Sequence, residues 1–509
     1  MQPPIVIPLA LLVAAALAPL LASWRPNLAF PVAVVAIGVS AAAAVVALAE
    51  TITGPALHYY LGGWPPPLGI EYLLDEVGAF ASVVVTVIAL LVIIGTRRVA
   101  AAEFPDRLGL FYSLVLLVLG GLTGIIITHD LFNLFVFMEI SSLSAYALVF
   151  MGGGRGMMAG LRYLILGTIG GSFFLLGVGF LYFSTGTLNM TDISGLLTEI
   201  QDSRAVLAGA VFIFTGLGLK MALFPLHLWL PDAYTHSPSS VNTLLAPIMT
   251  KVSAIAMIRM VLSVFPAGYL TEVVPIAATL TVLGIAGMIL GSAAAVWQTD
   301  YRRMLAHSSV GQLGLIGAAI GLASPAGVAV ALLHIMSHAI MKGCLFMVAA
   351  NVRFRTGRSD IDGMTGLGRS MPLTMGAFSV AALAMVGVPP LAGFFSKFYL
   401  AEAGISAGNW PVAVAVLASS LLTATYLFRV VEKAYLSAPA GAAAHAAPPS
   451  GAQHDQAAAG DAPPSVREAP TDMLLPALLM AAAAIVVGLL NTVIMTEVLE
   501  PGVFMWMGA

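Results

Sequence analysis

Four lysines, Lys220, Lys251, Lys342 and Lys397, and one glutamate, Glu139, stand in the middle of apolar runs long enough to cross a membrane. A charged side chain at the bilayer centre costs roughly 2.5–3.5 kcal/mol, so five cost on the order of 12–17 kcal/mol before any pairing. Such a load does nothing for the fold, and intramembrane ionisable groups mark ion or proton paths far more often than packing. All four cations are lysine. Arginine keeps its proton, whereas a buried lysine can release it. Burial favours a neutral amine and a nearby carboxylate favours a charged one, so an amine held between the two exchanges protons near neutral pH. A row of such lysines, with histidines and serines between them, could pass protons sideways through the membrane centre.

The local sequences say how these groups are presented. Glu139 lies in LFNLFVFMEISSLSAYALVF and is followed by Ser141, Ser142 and Ser144. Lys220 lies in FIFTGLGLKMALFP, five residues before Pro225, where a helix break would free carbonyls and admit water. Lys251 is central in VNTLLAPIMTKVSAIAMIRM. His334, His338 and Lys342, in LLHIMSHAIMKGCLF, are spaced by four and share one helix face, drifting by about 40° per step. Lys397 follows the prolines of PPLAGFFSKFYL. Other readings exist for each. Glu139 with Lys220 also reads as a static buried pair. His334 and His338 have the spacing of two metal ligands, although no carboxylate or cysteine accompanies them, and His334 alone also reads as a bonded core histidine. His227, Asp232 and His236 read either as an access path or as loop structure. Asp300, Arg302 and Arg303 read as a solvated interfacial cluster.

The chain that must position these groups is 60% hydrophobic and only 9% charged over 509 residues, with a mean hydropathy of +0.99. Soluble domains carry about 25% charge, so a soluble fold is excluded. The fold class predicted is all-α and polytopic, with about 14 transmembrane helices at 4–23, 29–50, 76–96, 108–128, 131–151, 160–185, 205–224, 240–263, 273–297, 304–323, 326–350, 372–400, 410–433 and 472–493. The N-terminal stretch has no basic region and reads as the first span, not as a signal peptide. Pro225 and Pro231 break the seventh helix, and Pro389, Pro390 and Gly393 the twelfth. Broken helices at membrane depth line a cavity or are buried in protein, and paired interruptions point to a transport site. Their five-helix separation suggests two inverted repeats, helices four to eight (108–263) and nine to thirteen (273–433). Before them come helices one to three (1–107) and after them helix fourteen (472–509). Residues 437–471, rich in Ala, Pro and Gly, are expected to form a disordered loop. Cys344 is the single cysteine, so no intrachain disulfide forms, and no ligand spacing for zinc, haem or an iron–sulfur cluster is present. Neither a P-loop nor a dinucleotide fingerprint appears. No cofactor, no metal and no nucleic-acid partner are expected. Of the 21 basic residues, four are the core lysines. Fifteen more fall at odd-to-even connections or their flanks, and only Arg204 and Arg259 on the other side. The positive-inside rule puts the fifteen in the cytoplasm, with loop 437–471, and both termini outside a multi-pass cell membrane protein.

The segment LKMALFPLHLWLPDAYTHSPSSVNTLLAPIMTKV resembles the signature of the antiporter-like, proton-conducting subunits shared by respiratory complex I, membrane-bound hydrogenases and Mrp-type sodium/proton antiporters. The resemblance covers essentially all fourteen helices. RYLILGTIGGSFFLLGVGFLYFSTGTLNM, SHAIMKGCLF and GFFSKFYLAEA look most like the D-type subunit of the Mrp antiporter. This likeness implies an inverted repeat and a proton path along a central polar axis. The family's helix-five glutamate matches Glu139, its helix-seven lysine Lys220, its helix-eight lysine Lys251 and its second-half lysine Lys397. The family's histidine or lysine on helix eleven matches His334, His338 and Lys342. One complex I relative has glutamate where Lys397 stands, which disfavours that relative. The chain ends soon after helix fourteen. It is expected to lack the lateral-helix extension of complex I's largest antiporter-like protein and the extra domain of the A-type Mrp protein. The expected role is a proton-translocating subunit of a multisubunit Na⁺/H⁺ antiporter, partnered by other membrane subunits, with H⁺ and Na⁺ as the transported ions. The alternative is a proton-pumping arm of a complex I-like oxidoreductase or hydrogenase. Glu139 is the one core carboxylate identified, and hard cations want oxygen ligands, so a sodium site is expected in partner subunits instead.

Overall fold

Runs of about 20 apolar residues must close their backbone hydrogen bonds internally, and helices do so. The computed structural model describes residues 2–266, 268–437 and 466–507. Its spanning helices are α1 (Pro3–Trp24), α2 (Ala29–Thr53), α3 (Glu76–Gly95), α4 (Leu108–Ile127), α5 (Leu131–Phe150), α6 (Gly154–Thr185) and α7 (Arg204–Met221). They continue as α8 (Ser239–Arg259), α9 (Ile276–Val296), α10 (Tyr301–Gly321), α11 (Pro325–Thr356), α12, α13 (Trp410–Tyr435) and α14 (Thr471–Leu489). Thirteen helices among the described residues are long and apolar enough to cross a membrane unaided. The stretch predicted as the twelfth span, α12, comes in two pieces, Pro372–Val386 and Ala392–Ser406.

The boundaries follow local chemistry. Asp75, Asp130 and Asp300 cap α3, α5 and α10, each accepting from the backbone N–H three residues on at 2.5, 2.7 and 2.9 Å. Ser324 caps α11 ahead of Pro325. Helices α6 and α11 end on Gly186 and Gly357, both at φ +72°, where glycine carries no steric penalty. Helices α8, α10 and α11 are enclosed by the rest. Helix α11 packs against α8, α10, both pieces of α12 and α14. Half or more of the apolar stretch is left unburied in α1, α2, α6, α9, α13 and α14. In water this would be an aggregation surface; in a bilayer it is the lipid-facing rim.

Two segments depart from the sequence reading. The 51–75 connection holds an antiparallel hairpin, β1 (Leu57–Tyr60) and β2 (Glu71–Leu74), in register Leu57↔Leu74 and Tyr60↔Glu71. The expected disordered loop 437–471 falls mostly on 438–465, outside the described residues, but its far end is docked. There Arg355 Nε donates to Arg467 O at 3.0 Å, and Glu468 accepts from Leu373 N at 2.8 Å and from the Thr374 hydroxyl, capping the start of α12.

Candidate functional site

Proline chemistry shapes both broken helices. In α7 the helix stops at Met221 and Ala222 turns left-handed at φ +60°. Pro225 has no N–H for the carbonyl of Met221. Leu223 N reaches back to Gly218 O at 2.8 Å, and Trp229, opening the short helix Trp229–His236, donates its indole N–H to Leu219 O at 3.0 Å. In α12 the chain turns at Gly387, φ +95°. Pro389 and Pro390 leave without donors the carbonyls four residues earlier, those of Met385 and Val386. Lys397 Nζ donates to these two carbonyls, at 2.8 and 3.1 Å, and to Ser420 Oγ at 3.0 Å. Gly393 is required where the two pieces cross, because a Cβ there would collide with Ala384 O.

The structure joins Glu139 and Lys220. Glu139, Ser142 and Tyr146 share one face of α5, and Lys220 reaches them from the end of α7. Its Nζ lies 3.1 Å from Glu139 Oε1, 2.8 Å from Ser142 Oγ and 3.4 Å from Tyr146 OH. The lysine side chain is 4% exposed and that of the glutamate 22%. Helix α6 backs the pair with glycine: a Cβ at Gly171 would collide with Glu139 Oε1 and lie 3.6 Å from Lys220 Nζ.

The remaining five residues gather around α11. His334 Nδ1 is 2.9 Å from Ser396 Oγ, and its Nε2 is 3.1 Å from Gln312 Oε1. One turn on, the His338 ring stacks on it at 5.8 Å. His338 is fully buried, and among the described residues neither ring nitrogen has a hydrogen-bond partner. It lies within electrostatic reach of Lys251, Lys342, His334 and Lys397. Lys251 Nζ folds back onto Ala246 O of its own helix at 2.6 Å. Lys342 Nζ donates to Leu305 O of α10 at 2.7 Å and to Ser308 Oγ. Among the described residues no hydrogen bond links the Glu139–Lys220 pair to Lys251. The described residues hold no cluster of three His, Cys, Asp or Glu that could bind a metal, and Cys344 is buried and free.

Several sequence readings need correction. Glu139 is not the only core carboxylate: its side chain is part-buried at 22% exposed, and Glu71, Asp75, Glu76 and Asp130 are less than 9% exposed. Arg259, counted with the outer-side charges, is 3% exposed. It grips Asp75 with both nitrogens of its fork, at 2.6 and 3.0 Å, and donates to Ile126 O. Arg302 is buried, not solvated. Asp232 is held by Arg162 at 2.5 Å and, with His227, lines a cavity of about 450 Å³ beside the α7 break. Ser396, Gln312, Ser420, Ser308 and Tyr146 were not singled out from the sequence. Ser396 is adjacent to Lys397 and Gln312 is a lone amide in an apolar run, which are the only local signals.

Residues 128–423 match the family described as NADH:quinone oxidoreductase/Mrp antiporter, TM. The chain is 44% identical over 468 residues to NADH-quinone oxidoreductase subunit N of Desulforudis audaxviator (strain MP104C), covering 90% of each. It is 30% identical over 379 residues to the D-type Na(+)/H(+) antiporter subunit of Bacillus subtilis (strain 168), covering 74% of this chain and 75% of the relative. A chain in the structure of the Mrp complex from Dietzia sp. DQ12-45-1b superposes with a TM-score of 0.88 at 25% identity, over 100% of this chain and 98% of that one.

Proposed function

Because this chain belongs to the NADH:quinone oxidoreductase/Mrp antiporter family of membrane subunits, we propose that it carries protons along the row Glu139, Lys220, Lys251, His338, His334 and Lys397, with Lys342 as a side branch. The observation that carries the reading is His338. A fully buried imidazole with both nitrogens unpartnered does nothing for stability. Between three lysines and a second histidine it has what a relay needs, a free acceptor and a free donor. The polar links His334–Ser396 and Lys397–Ser420 extend the row towards α13. In this reading α4–α8 and α9–α13 are two inverted repeats, each broken at its fourth helix beside a lysine.

The subunit works within a larger membrane complex of the cell membrane, with its odd-to-even connections in the cytoplasm and its termini outside. Two assemblies fit. In an Mrp-type antiporter the protons would return against sodium; in a redox complex they would be driven by electron transfer. The higher identity to the subunit N relative supports the redox arm at least as well as the antiporter. Inverted vesicles carrying the intact complex separate the two. Proton movement on adding Na⁺ without an electron donor supports antiport, and movement only with a donor supports the redox arm. Unchanged proton movement in an assembled Lys220→Ala or Glu139→Gln complex would remove the shared reading. Cysteines introduced into the 97–107 connection, against a natural Cys344 that is buried, report orientation. Their labelling by an impermeant reagent from outside would invert it.

A further inference from the structure

The GGGRG run at 152–156 opens α6. Gly153 and Gly154 take φ +61° and +45°, and no side chain caps this N-terminus. Gly156 N is taken up by Gly153 O at 2.7 Å, and the other first-turn N–H groups lie at the positive end of a 32-residue helix. They meet a cavity of about 390 Å³ walled by Arg155, Arg302 and Arg353. Arg302 is 9% exposed, and among the described residues its Nε has no hydrogen-bond partner; its Nη1 makes a long bond to Ser237 O at 3.3 Å. The Ser237 hydroxyl, also in the wall, is 2% exposed and unpartnered. Arg353 Nη1 donates to Ser239 Oγ at 3.2 Å.

Among the described residues none of these arginines has a carboxylate within ion-pair distance. The one carboxylate of the wall, Glu103, is already committed to the start of α8, accepting from Ser239 N at 2.6 Å and from Ser240 N and Oγ at 3.0 and 2.6 Å. His236 records the field of this wall. Burial is the first cause holding it below its usual pKa; Asp232 opposes that, and Arg302, Arg303 and Arg155 add to it. A buried guanidinium and a buried hydroxyl with unmade hydrogen bonds stand in a cavity where three arginines face the one wall carboxylate Glu103, with Asp300 also acting on Arg302, and such a cavity has room for an anion.

We infer that this cavity binds a phosphate-bearing anion, either a lipid headgroup or a soluble phosphate, through the α6 first turn, Arg302 Nε, Ser237 Oγ and the forks of Arg155 and Arg353. The donors come from four separate segments, so the ligand needs acceptors on several sides. A tetrahedral phosphate offers them and matches the arginine fork. The volume leaves room for the first carbons of an ester. Once filled, the site ties the starts of α6 and α10 to the end of α11.

Thermal unfolding of the full chain in its membrane complex, stripped of lipid in detergent, tests this. The probes are inorganic phosphate, phosphatidylglycerol and diacylglycerol, which has the chains without the phosphate. Phosphate or phosphatidylglycerol should raise the midpoint in a saturable way, and diacylglycerol should not. A response to phosphate identifies a soluble ligand; a response to phosphatidylglycerol alone identifies a headgroup. Arg155→Gln, an exposed change that leaves the packing intact, should raise the half-saturating concentration at least fivefold. Arg302→Gln should abolish the response, and Arg97→Gln, outside the cavity, should not alter it. No response to either phosphate probe, or a response unaltered in Arg155→Gln and Arg302→Gln, overturns the inference. Loss of a partner subunit from the Arg155→Gln complex without any phosphate response also overturns it, in favour of a protein carboxylate.

Discussion

Gly171→Ala separates the geometry of the Glu139–Lys220 pair from its charge. The added carbon would overlap Glu139 Oε1, stand 3.2 Å from Cδ and 3.6 Å from Lys220 Nζ. The glutamate side chain, 22% exposed, has room to swing away, whereas the lysine, 4% exposed, does not. Lys220 keeps Ser142 and Tyr146 but loses its 3.1 Å bond to the carboxylate. A charge-assisted bond of this kind contributes roughly 1.5–3 kcal/mol, which shifts the pair from closed to open by about 10- to 150-fold. If opening and closing of the pair gates proton transfer, the rate per complex should fall by about one to two orders of magnitude with assembly intact. Quenching of a pH-sensitive dye in inverted vesicles, normalised to complex content, reads that rate. Two neighbours on α6 serve as controls. A Cβ at Gly179 meets nothing within 4 Å, so Gly179→Ala should behave as wild type. A Cβ at Gly177 would press on Gly209 O at 2.7 Å, far from the charges, so Gly177→Ala should lower yield and leave the rate per complex unchanged. A wild-type rate in Gly171→Ala, or an equal slowing in Gly177→Ala, would refute the reasoning.

Arginine retains charge but does not release its proton, so Lys251→Arg and Lys397→Arg should stop proton movement as fully as alanine; activity retained in the arginine variants would mean that charge alone matters. His338→Leu removes two unsatisfied buried nitrogens and should leave the melting temperature unchanged or higher, while proton movement stops; a destabilised but active variant would contradict the relay role. Asp75→Asn leaves the buried Arg259 guanidinium without its counter-charge, and thermal melts should show a loss of about 3–5 kcal/mol; a loss below about 1 kcal/mol would mean the pair is dispensable. His129 is held down at about 3, first by burial and then by Arg259 and His58. The unfolded chain binds the extra proton below about 6.5, so this contribution is complete above that pH and fades as pH falls towards 3. His129→Asn should therefore lose less stability than wild type between pH 7 and pH 5, by up to about 2 kcal/mol, in parallel denaturant titrations.

The spans were legible because bilayer thickness dictates a run length that few other constraints can imitate. The sequence limits 131–151 and 410–433 became Leu131–Phe150 and Trp410–Tyr435. The breaks were legible because proline removes a donor at a known offset, and the offset even names the carbonyls of Met385 and Val386 that Lys397 takes up. Partners from distant segments were not legible. Asp75 and Arg259 lie 184 positions apart, and each alone looks like a helix-end charge. Arg302 follows a helix-capping aspartate, which is what a solvated cluster looks like; only the packing of α10 among its neighbours buries it. Beyond its place next to Lys397, nothing in the sequence tells Ser396, the partner of His334, from Ser379, which bonds only to its own helix among the described residues. The hairpin at 57–74 was hidden because its second strand is held by groups from elsewhere: Asn189 donates to the Glu71 carboxylate at 2.8 Å and His129 N to Glu71 O at 2.9 Å.

The Glu139–Lys220 pair and the lysines gathered around α11 differ in charge balance, and that difference says how one could act on the other along the proposed path. Lys220 has a carboxylate, so a proton there is neutralised on the spot. The acceptors of Lys251, Lys342 and Lys397 are carbonyls and hydroxyls, so a charge on any of them is uncompensated. Two unit charges about 10 Å apart at an effective dielectric of about 20 repel by roughly 1.7 kcal/mol, enough to change occupancy more than tenfold. The Lys251, Lys342 and Lys397 group therefore favours one proton at a time, and a charge arriving at Lys251 drives one from its neighbours. Opening the Glu139–Lys220 pair would remove the neutralising carboxylate and expose the Lys220 charge to Lys251. No hydrogen-bonded wire between the halves is needed for that push, which acts through space. His338, bonded to nothing, is then the one member of the row free to take the displaced proton on one nitrogen and release another from the opposite side.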